Sequence, residues 1–150
     1  MRIFLPNVIT PEEALSLAES PGGKNSSVEH PVAIKLAKLI GSQISADWSS
    51  PSYSRVERGG NHKWHVDTGG DKGSTGHMSW CSYGCSVLLT DDKDAGFLEY
   101  RDGHKVLPEE HYCGLAIHSS DIEHRVASTP GKRVTFLAFV KALEKKNKND

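Results

Sequence analysis

The chain has 150 residues, 37% hydrophobic and 25% charged, with a formal net charge of −1. That content is enough for one packed core and speaks against disorder. A charge so near zero offers neither the basic footprint of a nucleic-acid binder nor a polybasic membrane surface, and no run is long enough to span a bilayer.

The opening "MRIFLPNVIT" is too short an apolar run for a secretory signal. In "NVITPEEALSLAES", Thr10 is placed to cap a helix, Pro11 fits its first position, and Glu13 completes a capping box. "PGGKNSS" reads as a loop. "EHPVAIKLAKLIGSQI" reads as a second helix, because Val32, Leu36, Leu39, Ile40 and Ile44 recur at helical spacing. From about residue 46 the runs shorten and are bounded by Gly, Asp and Ser. "SYSRVER", "KWHVDT", "CSVLLTD", "GFLEYRDG", "HKVLP", "CGLAIHS", "HRVAS" and "RVTFLAFVKA" read as strands, with turns at "DDKDAG" and "YRDGHK". Two helices followed by about eight short strands predict a mainly β protein, an antiparallel sandwich or barrel. The expected organisation is a single domain over 1–150, with helices at about 10–45, a barrel at about 50–142 and a short polar tail. Cys81, Cys85 and Cys113 form an odd set that suits a reducing compartment, so the protein is expected to be cytoplasmic. Their plain reading is three buried small hydrophobes; a C-x3-C pair with no evident fourth ligand is a weak zinc signature.

The stretch "GGNHKWHVDTGG" carries the chemistry. Residues i and i+2 of a strand share a face, so His65 and Asp67 would project together. The distal histidines are His77, His104, His111, His118 and His124. Of these, His124 starts a strand, and Arg133 follows nine residues later, across the turn "STPGK". His65, Asp67 and His124 would form a 2-His-1-carboxylate triad that leaves coordination positions open. The other four read as surface or strand residues, His62 as a loop residue, and Trp64 as packing.

This pattern resembles the iron(II)- and 2-oxoglutarate-dependent oxygenases, in particular the prolyl-hydroxylase-like branch. The resemblance covers roughly residues 52 to 141, and "VERGGNHKWHVD" matches the branch's lead-in at Glu57, Gly59, Trp64, His65 and Asp67. It implies a double-stranded β-helix, a jelly-roll-like barrel with the helices packed outside. It implies iron(II) on His65, Asp67 and His124, and 2-oxoglutarate with its far carboxylate on Arg133 and a hydroxyl from Thr135. Oxygen would be the second co-substrate, with ascorbate as an accessory reductant. Where the branch has a tyrosine that helps to bind 2-oxoglutarate, this chain has Val56; Tyr53, Arg55 and Tyr83 are the candidates to replace it.

The implied activity is a dioxygenase that hydroxylates a side chain of a peptide or protein, coupled to decarboxylation of 2-oxoglutarate to succinate. The 68 to 80 segment "TGGDKGSTGHMSW" is the one loop long enough to enclose a small-molecule substrate instead. The rival reading is a cupin-like metal-binding module or isomerase without oxygen chemistry, which would give Arg133 no task. A zinc hydrolase is disfavoured because no H-E-x-x-H motif is present.

Overall fold

The computed structural model describes residues 1–21, 29–49, 51–68 and 77–143. A short strand β1 (Arg2–Leu5) opens the chain. Helix α1 (Pro11–Ala18) starts as its sequence requires: Thr10 accepts from the Glu13 backbone N–H at 3.1 Å, and the Glu13 carboxylate accepts from the Thr10 N–H at 3.0 Å. Helix α2 (Pro31–Gln43) buries Val32, Ala33, Leu36 and Ile40, and His30 caps it by accepting from the Val32 N–H.

The strands follow: β2 (Ala46–Asp47), β3 (Tyr53–Arg58), β4 (Tyr83–Leu88), β5 (Phe97–Tyr100), β6 (Lys105–Val106), β7 (Leu115–Ser119), β8 (His124–Ala127) and β9 (Val134–Ala142). A four-residue helix α3 (Pro108–His111) sits between β6 and β7. They form two antiparallel sheets. The larger has the order β1-β7-β4-β9-β2, with β3 also paired to β9; the smaller is β6-β5-β8. This mainly β, jelly-roll-like barrel with helices outside is the double-stranded β-helix expected from the sequence.

Strand alternation divides the large sheet into two faces. Val134, Phe136, Ala138 and Val140 of β9 join Val56 of β3, Cys85 and Val87 of β4, and Leu115 and Ile117 of β7 in the cluster beneath α1 and α2. The residues out of phase with these, Thr135, Leu137 and Phe139 with Arg133 just before the strand, face a cavity inside the barrel. Tyr53, Arg55 and Glu57 of β3 do the same, because β3 pairs with β9 with Glu57 opposite Thr135 and Arg55 opposite Leu137.

Two local expectations change. "KWHVDT" is not a strand. Only His65 pairs, in an isolated bridge with His124, and a turn follows Asp67. The glycine pairs that bound this stretch leave it too short to build a ladder. β1 and α3 were not expected; each is four residues long, β1 pairing with β7 and α3 packing against β4. The cysteines are all free and buried, and among the described residues none belongs to a metal-ligand cluster. Most of the loop at "PGGKNSS", residues 69–76 of the 68 to 80 segment and the polar tail from 144 lie outside the described residues.

Candidate metal centre

The bridge between His65 and His124 builds the site. Each backbone N–H donates to the other's carbonyl, at 3.0 and 2.9 Å, which holds the two imidazoles side by side with ring centroids 4.4 Å apart. Two residues on, the Asp67 N–H donates to the Ser120 carbonyl at 3.0 Å and turns the carboxylate inwards. One ligand atom from each of His65, Asp67 and His124 then lies within 4.8 Å of the others.

Both histidines are oriented in the same way. His65 Nδ1 lies 2.7 Å from the Lys63 carbonyl and His124 Nδ1 lies 2.8 Å from the Ile122 carbonyl. A carbonyl only accepts, so both Nδ1 atoms donate and the Nε2 atoms are the ones turned to the site, where a metal would take them as neutral bases. His124 Nε2 is 3.2 Å from Asp67 Oδ1.

The charge states suit a cation. Burial by itself would raise Asp67, but His118 and His124 outweigh it and hold the carboxyl well below the ordinary carboxylate range. Burial, helped by His124, lowers His65. His124 is raised, because its bond to Asp67 overcomes burial. The site therefore presents an ionised carboxylate at neutral pH.

The same cavity, of about 300 Å³, reaches from these donors to Arg133. Arg133 is 5% exposed and donates to the carbonyls of Ala95 at 3.3 Å and Gly96 at 3.2 Å. Burial draws its pKa down to about 10, so it remains a cation at neutral pH. Among the described residues its Nε and the Thr135 hydroxyl are both buried without a hydrogen-bond partner. A buried guanidinium and a buried hydroxyl side by side on one wall have the donors to receive an anion.

Of the residues considered in place of the missing tyrosine, Tyr53 and Arg55 line the cavity. Tyr83 does not: it is in phase with Cys85 and Val87 and packs against the cluster beneath the helices. Val56 faces the same way, which is why position 56 carries no polar group. Arg55 pairs with Glu57 at 3.0 Å. Tyr53, half-buried, contacts Trp80 and Phe139 with ring centroids 6.2 and 5.4 Å apart, and its hydroxyl meets Met78 Sδ at 3.8 Å, so one side of the cavity is aromatic and apolar.

Sequence reasoning passed over two features. His118, read as a surface or strand residue, is a buried residue of β7, and its Nε2 is 2.6 Å from Asp67 Oδ2. Its signal was its place in β7, out of phase with Leu115 and Ile117. The other is Trp64, whose ring lies between two guanidiniums, with Arg101 Cζ at 4.3 Å and Arg125 Cζ at 4.4 Å. Among the remaining histidines, His77 lines the cavity, His111 is buried against Ser86, and His104 is exposed.

No family model and no curated protein sequence matches the chain. Solved structures do share its fold. A prolyl-4-hydroxylase from Pseudomonas putida aligns over 95% of this chain and 93% of its own, with a TM-score of 0.64 at 11% identity. A viral collagen prolyl hydroxylase from Paramecium Bursaria Chlorella virus-1 aligns over 95% of this chain and 90% of its own, with a TM-score of 0.67 at 13% identity. A non-haem α-ketoglutarate-dependent epimerase from nogalamycin biosynthesis aligns over 94% of this chain and 77% of its own, with a TM-score of 0.60 at 14% identity. The chain has the fold of prolyl-4-hydroxylases and of other 2-oxoglutarate/iron(II) oxygenases.

Proposed function

We propose that the protein is an iron(II)- and 2-oxoglutarate-dependent dioxygenase that hydroxylates a side chain presented on a peptide or protein. One observation carries the reading. Two histidine Nε2 atoms and an ionised carboxylate converge in the same cavity as Arg133, a buried guanidinium whose Nε has no partner among the described residues. The donor set fits non-haem iron, and the orphaned cation fits the far carboxylate of a dicarboxylic acid. A cupin-like module would use the three donors but would leave Arg133 buried and unpaired for no purpose.

In this reading His65, Asp67 and His124 hold iron(II), which supplies substrate oxidation coupled to decarboxylation of 2-oxoglutarate. Arg133 and Thr135 bind and orient the co-substrate, and Leu98, Val126 and Leu137 wall its path from water. The Arg55–Glu57 pair keeps the Glu57 carboxylate from opposing the bound anion. With the metal and the co-substrate inside a cavity of about 300 Å³, the substrate is left the aromatic side formed by Tyr53 and Phe139, with Trp80 packed behind Tyr53. That surface suits an apolar ring, such as a prolyl side chain, on a polymer that stays outside. The same fold serves an epimerase as well as hydroxylases, so the substrate reading stands on this surface.

The experiment is an anaerobic titration with iron(II) and then 2-oxoglutarate, followed by aerobic turnover with ascorbate on a panel of proline-containing peptides, free proline, free lysine and nucleobases. We expect one iron(II) per chain, metal-dependent binding of 2-oxoglutarate, and succinate with a mass gain of one oxygen on a peptide. Absence of metal binding, or full binding in Asp67→Ala, overturns the oxygenase reading. Turnover of a free amino acid or nucleobase alone overturns only the substrate class.

A further inference from the structure

His118 has no task as a metal ligand, yet three observations tie it to the centre. Its Nε2 lies 2.6 Å from Asp67 Oδ2, and its Nδ1 lies 3.1 Å from the Tyr100 hydroxyl. The residue opposite it on β4 is Gly84. A Cβ there would collide with Asp67 Oδ2 and lie 2.8 Å from His118 Nε2, so a glycine keeps the space clear for the pair. Asp67, His118 and Tyr100 are respectively 6%, 4% and 3% exposed, which removes competing water.

The direction of the bonds follows from what each group can do. An ionised carboxylate only accepts, so His118 donates through Nε2–H, and its Nδ1 is then free to accept from the Tyr100 hydroxyl. The other oxygen of Asp67, Oδ1, stays on the side where His124 Nε2 lies, 3.2 Å away.

We propose that His118 is a positioning residue for the metal-ligating carboxylate: it holds Asp67 by Oδ2 so that Oδ1 alone faces the ion, while Tyr100 fixes the tautomer and orientation of His118. The proposal rests on the metal reading of His65, Asp67 and His124. A carboxylate free to turn can ligate through both oxygens and occupy a second position; a charge-assisted bond to one oxygen opposes that. Positions needed by the co-substrate and oxygen are thereby kept open.

The test is cobalt(II) binding to the full chain, read by calorimetry and by the visible absorption of the bound ion, in wild type, His118→Leu, His118→Gln, Tyr100→Phe and His65→Ala. Loss of a hydrogen-bond partner to a ligand is worth about 10- to 100-fold in affinity. His118→Leu should weaken cobalt binding by about tenfold or more and change the spectrum. His118→Gln, whose amide N–H can reach the same oxygen, should recover much of both. Tyr100→Phe should shift the spectrum with a smaller loss of affinity. Wild-type affinity and spectrum in a folded His118→Leu overturn the proposal. So does a loss as complete as that of His65→Ala, which would make His118 a ligand, and so does absence of rescue in His118→Gln, which would assign the effect to packing. Should His118→Leu not fold, Tyr100→Phe decides: a shifted spectrum supports the proposal and an unaltered one overturns it. If His65→Ala binds cobalt as wild type does, the failure belongs to the metal reading instead.

Discussion

Arg133 concentrates the cavity's chemistry in one side chain. It is a buried cation whose hydrogen-bond partners among the described residues are two backbone carbonyls, at 3.2 and 3.3 Å, so its charge is poorly compensated until an anion arrives. Removing one member of a buried charge pair costs roughly 3–5 kcal/mol, or about two to four orders of magnitude in affinity. Arg133→Ala should therefore abolish measurable 2-oxoglutarate binding by calorimetry while iron(II) binding stays within a few-fold of wild type. Arg133→Lys should recover a minor part, because an ammonium is a point donor without the fork of a guanidinium. Without 2-oxoglutarate, Arg133→Ala should unfold at no lower a temperature than wild type, since the variant no longer buries a poorly compensated charge.

Among the elements, the segment carrying His65 has the least regular structure, and its anchoring comes from outside the ladder. Trp64 is stacked between Arg101, just after β5, and Arg125 of β8, and these arginines pair in turn with Glu123 at 2.7 Å and Glu99 at 3.1 Å. The stack therefore ties the His65 segment to the small sheet that also carries His124. Each half-exposed cation–π contact is worth about 0.5–1 kcal/mol. Trp64→Leu should lower unfolding free energy by about 1–2 kcal/mol in urea titrations and weaken iron(II) binding several-fold, with Trp64→Phe intermediate. An unchanged metal affinity in Trp64→Leu would show that the bridge to His124 suffices by itself.

The whole molecule has a built-in sensitivity to acid. His111, at the end of α3, is fully buried against Ser86 of β4, with its Nε2 3.1 Å from the hydroxyl. Burial, with Arg133 nearby, holds its pKa at about 3 against an ordinary 6.5. The folded chain keeps it neutral, whereas the unfolded chain takes up a proton below about pH 6.5. Its contribution is thus fully present above that pH and is lost as pH falls towards 3, at about 1.4 kcal/mol per pH unit. Between pH 7 and pH 5, wild type should lose about 2 kcal/mol more unfolding free energy than His111→Gln. Urea titrations of both proteins at the two pH values measure this, and equal losses would remove His111 as the cause. His65 and His118 are also lowered by burial, but both remain in the variant, so the difference isolates His111.

The sequence by itself determined whatever depends on neighbours along the chain. Thr10, Pro11 and Glu13 set the start of α1, and alternation along "RVTFLAFVKA" separated Phe136 and Val140 from Arg133 and Thr135. His65 and Asp67 could be picked out because an i, i+2 pair shares a face before any fold is known, while His124 and Arg133 were added by the resemblance to a known family pattern. The tertiary structure decided what depends on contacts between distant segments. Both faces of β4 are buried, so alternation alone could not tell whether Tyr83 faces the cavity or the helices; the register with β7 and β9 did. "KWHVDT" alternates like a strand, but extended pairing needs a partner of matching length, and His124 offers a single bridge. His118 reaches Asp67 across 51 residues of chain, and Tyr100 reaches His118 from the other sheet. No local pattern marks such a contact, because it arises only where the two sheets close over one another and exclude water.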